Sequence, residues 1–258
     1  MLSKGFYRMA SSITPVSSQR ASELASNLAG IKDRVASAAA QAGQTGPRLV
    51  AVSKLKPAED ILWLHSSEHQ DHFGENYVQE LVDKAARLPD SIQWHFIGTL
   101  QTAKCKTLAQ IPNLYAVETV EAEKRAKKLN DNRPDGFPKL NVFVQVNTSG
   151  EAEKSGVTGN EAVELAKYIV TECPRLRFKG LMTIGSKSQS EAAADGIANQ
   201  DFKNLVEIRD KIETQLRLTG LELSMGMSED FEDAIRQGST NVRVGSSIFG
   251  ARALKDAS

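Results

Sequence analysis

Eight short apolar runs separated by helical patterns constrain this chain more than any other feature of it. They read LVAVSK (49–54), HFGEN (72–76), WHFIG (94–98), LYAVET (114–119), LNVFVQVN (140–147), FKGLMTIG (178–185), LELSMGMS (221–228) and NVRVGSSIFG (241–250). Leu49 to Val52 are apolar without alternation, as in a strand covered on both faces. Between the runs, PAEDILWLHSSEH opens with Pro57 at a first-turn position, and YVQELVDKAARL, EAVELAKYIV and FKNLVEIRDKIETQL space their apolar residues at three and four. Strands alternating with helices over 258 residues predict an α/β fold, a single closed parallel (β/α)8 TIM barrel, rather than a doubly wound sheet. A further N-terminal helix over about residues 18–41 is expected to cap the bottom of the barrel. Residues 130–139 read as a turn-rich loop and 185–199 as a polar connection. With no linker dividing the series, we expect a flexible lead at 1–17 and one barrel domain at 18–258.

Composition narrows the partners. The 32 basic and 32 acidic residues balance, which argues against nucleic acid or an anionic membrane as the principal ligand and for a small molecule. Cys105 and Cys173 lie in dissimilar surroundings, so neither a disulfide framework nor a cysteine-rich zinc site is expected, and a reducing, cytoplasmic setting fits. No apolar run approaches the roughly 18–20 residues that span a bilayer. The first 20 residues carry Lys4, Arg8 and Arg20 among many serines, with no acidic residue before Glu23. They read as a disordered lead-in, with a mitochondrial presequence as the alternative.

In a barrel of this kind the chemistry sits at the C-terminal ends of the strands, and phosphate commonly binds the loops after strands 7 and 8. SMGMS (224–228) ends the seventh run, and GSSIFG (245–250) follows Arg243 on the eighth. Glycine lets backbone N–H groups approach an anion and serine adds hydroxyl donors, although either segment alone would be only a turn. Lys54 ends the first run, the neighbour of the eighth in a closed barrel. It either snorkels to water or stands at the site mouth as a nucleophilic amine. A lysine facing a phosphate cup suggests pyridoxal phosphate, while a phosphosugar or a Schiff-base aldolase substrate would satisfy the same geometry. HSSEH (65–69) matches the H-x-x-E-H zinc pattern, with His72 close by, but falls at the opposite end of the barrel and reads as surface histidines.

The segments AVSKLKP, FGENYVQE, WHFIGTLQ, VNTSGEAEKSGV, GLMTIG and LSMGMSEDFEDAIRQGSTNVRVGSSIFG, in that order, closely resemble the YggS/PROSC family of pyridoxal phosphate homeostasis proteins across about residues 20–252. The resemblance implies the barrel of the alanine racemase N-terminal domain, with Lys54 carrying pyridoxal 5'-phosphate as a Schiff base. It places Asn76, Met182, Ser224, Gly226, Arg243, Gly245 and Ser246 around the cofactor. Arg243 would face either the pyridine nitrogen or the phosphate; at the nitrogen its fixed charge would disfavour the pyridinium and weaken the ring as an electron sink. Met182 packs on the cofactor or fills core, and Lys154 in EKSG reads as a loop charge rather than a second pocket lysine. Ala103 stands where the family usually has asparagine, which weakens any role for the Gln101–Lys104 turn. Racemases of this class take a second base from another domain, and the chain given stops eight residues after GSSIFG. The expectation is therefore a monomeric protein of vitamin B6 homeostasis that stores or delivers the cofactor, through transient contact with apo pyridoxal enzymes, without being an enzyme. A racemase-like enzyme using the same lysine is the alternative.

Overall fold

The computed structural model describes residues 13–251 apart from 152 and 195, so most of the expected lead at 1–17, and with it the presequence reading, lies outside the described residues. Eight strands follow one another as the apolar runs foretell: β1 (Arg48–Val52), β2 (His72–Glu75), β3 (Gln93–Phe96), β4 (Leu114–Val120), β5 (Leu140–Gln145), β6 (Leu176–Met182), β7 (Glu222–Ser224) and β8 (Asn241–Val244). Each pairs in parallel with the next, and β8 returns to β1 to close the barrel. The helices are α1 (Ser18–Gln41), α2 (Ala58–Glu68), α3 (Val78–Arg87), α4 (Cys105–Ala109), α5 (Glu123–Asn132), α6 (Gly159–Glu172), α7 (Lys187–Ala194), α8 (Gln200–Leu216), α9 (Phe231–Arg236) and α10 (Ser246–Phe249). No helix among the described residues is long and apolar enough to cross a membrane.

Strand periodicity divides the side chains between two environments. Phe73, Trp94, Phe96, Val117, Val142, Val144, Leu223 and Val242 join the helix faces in one continuous core. The alternate positions face the barrel axis, where Ala116, Phe143 and Met182 form a small separate apolar cluster. Local chemistry sets the helix ends. Thr158 and Glu161 make a reciprocal capping box at the start of α6, and Ser17 caps α1.

Three sequence expectations need correction. First, α1 does not close the barrel's bottom. It packs between α2 and α9 and against α10, taking the ring position that a helix after β8 would fill. Leu24, Leu28, Ile31, Val35 and Ala38, spaced at four and three, form its buried stripe. Arg20 bonds Asp60 Oδ2 at 2.6 Å and the Phe249 carbonyl at 2.9 Å, while Asn27 bonds the Ile248 carbonyl at 3.1 Å. The four-residue α10 is too short to cover the β8–β1 seam, and α1 covers it instead. Second, α7 forms within 185–199, where a polar composition masked a helix of small residues. Third, α5 reaches Asn132, into the expected 130–139 loop; the remaining turn is pinned by the buried Arg133, which donates to the carbonyls of Ala109, Ile111 and Pro138.

Because α1 is the eighth member of the helix ring, truncating its stripe should weaken the whole fold. Leu28→Ala should cost about 2–5 kcal/mol. Urea unfolding followed by far-UV circular dichroism should show a single transition at a lower midpoint; an unchanged midpoint would contradict this packing role.

Candidate functional site

A cavity of about 300 Å³ opens at the C-terminal ends of the strands, and Lys54, Asn76, Met182, Arg243, Gly245 and Ser246 all line it. Its size is at the lower end of the range for small-ligand sites. The other two predicted residues stand directly behind. Ser224 Oγ accepts from Arg243 Nη1 at 2.5 Å, and the Gly226 carbonyl accepts from the Arg243 backbone N–H at 3.0 Å. A larger concavity of about 570 Å³ runs over α5, α6 and α8 as an open groove lined by Glu121, which directly follows β4, with Glu123, Glu161, Glu164 and Lys211. We take the smaller cavity as the functional one because Lys54 and the Gly/Ser segments that follow β7 and β8 meet in it.

The strand ends explain how these residues arrive together. β1 stops at Val52, and Lys54 sits in a tight turn closed by the Lys56 N–H on the Ser53 carbonyl at 3.0 Å. β7 and β8 are much shorter than their apolar runs because Gly226 and Gly245 break them. At Gly226 the backbone has φ +94°, and a Cβ would fall 2.6 Å from Ala234 Cβ and 2.9 Å from Phe231 Cα. Only glycine fits there. At Gly98 a Cβ would lie 2.0 Å from the Asn76 carbonyl oxygen, so this glycine lets the third strand end press on the second. Asn76 Oδ1 is buried with no partner. A buried acceptor without a donor needs an explanation, and a ligand in the cavity it borders would supply one. Lys56, also in the wall, ties the first loop to the last by donating to the carbonyls of Phe249, Gly250 and Ala251 at 3.3, 3.0 and 2.8 Å.

Sequence reasoning missed what lies beneath the cavity. Arg243 is 4% exposed, and its second terminal nitrogen donates to the Thr183 carbonyl at 2.8 Å. The Ser224 hydroxyl donates a hydrogen bond to Glu118 Oε2 at 2.5 Å, and Asn241 Nδ2 donates to Ser224 Oγ at 3.0 Å. Glu118 Oε1 meets His95 Nδ1 at 2.5 Å, and His95 Nε2 meets His72 Nδ1 at 2.9 Å. A continuous polar column therefore runs down the barrel axis from the cavity toward the opposite end. Burial alone would raise the Glu118 carboxyl, but His95, Arg243 and the Ser224 hydroxyl bring it below the ordinary carboxylate range. Burial pulls Arg243 down, opposed by Glu118 and Asp230. The signal was present as single polar residues inside apolar runs, His95 in WHF and Glu118 in AVET.

Three segments singled out in the sequence lie elsewhere. Lys154 bonds Glu151 Oε1 and the Gly185 carbonyl, both at 2.9 Å, in the loop beyond β5. Ala103 sits in an exposed 3-10 turn, Thr102–Lys104. In HSSEH, His65 turns its ring nitrogens to the Gln70 carbonyl, Asp71 and Ser91, and His69 caps α2 with φ 52°.

Comparison with known proteins gives three findings. The family described as alanine racemase, N-terminal domain, matches residues 26–253. The pyridoxal phosphate homeostasis protein of Schizosaccharomyces pombe is 49% identical over 204 residues, covering 79% of this chain and 84% of the relative. Among solved structures, PipY of Synechococcus elongatus with PLP bound has a TM-score of 0.72 at 26% identity, covering 88% of this chain and 100% of that one. The alanine racemase of Corynebacterium glutamicum shares the fold at 16% identity and a TM-score of 0.61, with 92% of this chain matching 63% of that one.

The axial column also sets a response to acid. Burial, then His95 and Arg48, lower His72 from 6.5 to about 3. Above the ordinary value both folded and unfolded chains hold this ring neutral. As pH falls from 6.5 toward 3 the unfolded chain takes up a proton that the folded one refuses, so stability drops across that window. In His72→Gln this contribution is gone. The difference between wild-type and variant urea midpoints should move in the variant's favour from neutral pH to about pH 4.5; a difference that stays constant would contradict the assignment.

Proposed function

The chain belongs to the family of pyridoxal phosphate homeostasis proteins, built on the barrel of the alanine racemase N-terminal domain, and on that premise we propose that it binds pyridoxal 5'-phosphate in the strand-end cavity. In this reading it serves intracellular homeostasis of the cofactor, holding it covalently through Lys54 and storing or delivering it. Contact with apo pyridoxal enzymes, action as a monomer and a cytoplasmic setting belong to the same proposal.

One observation carries it. The described residues of the cavity wall bring two primary amines, Lys54 and Lys56, and two Gly/Ser turns together, yet include no carboxylate, imidazole, phenol or thiol. When bound, the cofactor supplies an aldehyde that condenses reversibly with a primary amine, and a phosphate that needs donors. Lys54 offers the amine. Gly245, Ser246 and Ser228 offer N–H and hydroxyl donors at one end of the cavity, with the two serine oxygens 3.4 Å apart. Gly245 keeps that end open, since a Cβ there would already touch Val52 at 3.2 Å. Asn76, with its unpartnered oxygen, accepts from a donor on the ligand. We assign Arg243 to the ring end, because it lies two residues deeper along β8 than Gly245 and is fixed by Ser224 and Thr183. A guanidinium there disfavours a proton on the ring nitrogen and so disfavours carbanion chemistry. The wall's other amine, Lys56, is engaged by the carbonyls of Phe249, Gly250 and Ala251, and an arrangement of this kind suits retention and release better than turnover.

Borohydride treatment of the loaded protein should fix a pyridoxyl group on Lys54, located by peptide mapping; a label on Lys56 or Lys154 would refute the assignment. Lys54→Ala should lose the visible absorbance but keep weak binding. Arg243→Gln should loosen the cofactor by about 1.5–3 kcal/mol, or one to two decades in affinity, in an equilibrium titration. The functional reading is tested by mixing loaded protein with an apo pyridoxal enzyme, which should gain activity, beside assays of the protein alone on common amino acids. Racemisation by the protein alone, abolished in Lys54→Ala, would overturn the carrier reading.

A further inference from the structure

We infer that Lys84, on α3 and outside the cavity, is a positioning residue for Lys54: with Glu75 and Glu80 it clamps the backbone on both sides of the reactive lysine. The inference rests on the reading of Lys54 as the residue that holds the cofactor.

Lys84 is 6% exposed, and its ammonium donates to three acceptors: the Ser53 carbonyl at 2.8 Å, Glu75 Oε1 at 2.6 Å and Glu80 Oε1 at 2.7 Å. The same two carboxylates reach the turn directly. Ser53 Oγ donates to Glu75 Oε1 at 2.6 Å, and the Leu55 N–H donates to Glu80 Oε1 at 2.7 Å. Residues 53 and 55 therefore both end on one buried cluster, and Lys54 is the residue between them. A cluster serving only to join α3 to β2 would have no need of the Ser53 carbonyl or the Leu55 amide.

The turn needs holding. Leu55 adopts φ +60°, in the left-handed region that leucine rarely visits, and the residue is 53% exposed, so packing does not impose that conformation. The hydrogen bond from its backbone N–H to Glu80 Oε1 holds it there. Lysine has a long flexible side chain, and fixing the backbone at its root restricts where the amine can reach. Covalent capture of an aldehyde demands approach within a narrow geometry, and small displacements are costly. The electrostatics point the same way. Burial, opposed by Lys84 and the Ser53 hydroxyl, raises Glu75 to about 7. Without the ammonium, its carboxyl would hold its proton more strongly and grip Ser53 differently.

The test compares wild type, Lys84→Met, Lys84→Arg and Glu80→Gln, each also in the Lys54→Ala background. With pyridoxal phosphate as the probe, the rate of borohydride-trappable labelling at Lys54 is followed by mass spectrometry. Lys84→Met should slow it at least tenfold and Glu80→Gln less, with partial rescue in Lys84→Arg. In the Lys54→Ala background the same changes should alter residual cofactor affinity by less than twofold. Hydrogen exchange of the Leu55 amide in cofactor-free protein should accelerate in Lys84→Met and Glu80→Gln. Wild-type labelling rates in Lys84→Met would overturn the inference, as would an equal loss of affinity in the Lys54→Ala background, which would mark a general effect on the cavity. Should Lys84→Met fail to fold, Glu80→Gln and Lys84→Arg decide by the same two criteria. Absence of label on Lys54 in the wild type would instead sink the underlying reading, so the two failures are distinguishable.

Discussion

A guanidinium almost fully withdrawn from water inside a barrel cannot persist without an opposite charge and a partner for its donors. Glu118 meets that requirement for Arg243 through Ser224, and much of the site's rigidity follows from it. Three strands are tied by this arrangement: β4 supplies the carboxylate, β7 the serine, and β8 both the arginine and Asn241. These bonds cross the barrel rather than running along the sheet. They hold the base of the cavity even though β7 and β8 share little ladder, a single paired position at Ser224 and Asn241. Removing the Glu118 charge would leave Asp230 as the one named carboxylate opposing the desolvation of this buried cation.

The interior is thus polar where a barrel of this class is ordinarily packed with branched apolar side chains. The column of His72, His95, Glu118, Ser224 and Arg243 replaces part of that packing, and the small cluster of Ala116, Phe143 and Met182 supplies the remainder. Met182 belongs to both that cluster and the cavity wall, so the two functions the sequence offered for it coexist in one residue. Stability comes instead from outside the sheet, in the continuous apolar shell between strands and helices.

What could be read from residues alone follows a physical division. Continuous apolar runs and three-and-four spacing are local, and they marked out all eight strands and the long helices. The barrel rule places Lys54 and the Gly/Ser turns at the strand ends, whereas the pocket role of Met182 came only from the family resemblance; six of the eight expected residues line one cavity. The axial column was not legible, because its partners are up to 123 residues apart and each looks like an isolated exception in an apolar run. Lys84 escaped for the same reason, reading as one more charge on an amphipathic helix. The place of α1 escaped because periodicity reports which face of a helix is buried and says nothing of what buries it. Residues 187–194 escaped because small polar residues give too weak a pattern.

The position of α1 has a consequence for how the molecule is made. Its side-chain bonds to the last strand's helix and to α9 join residues 198 to 229 apart in sequence. Synthesis proceeds from the amino end, so the helix that seals the β8–β1 seam meets α2 early but waits for nearly the whole barrel before α9 and α10 exist. Until then its leucine and isoleucine stripe lacks the surface that α9 and α10 supply. Contacts of such long range are slow to form, since the loop-closure entropy must be met before they stabilise anything. The closing of the ring by α1 against α9 and α10 therefore depends on contacts of the longest range in the fold, those least accessible to a partly made chain.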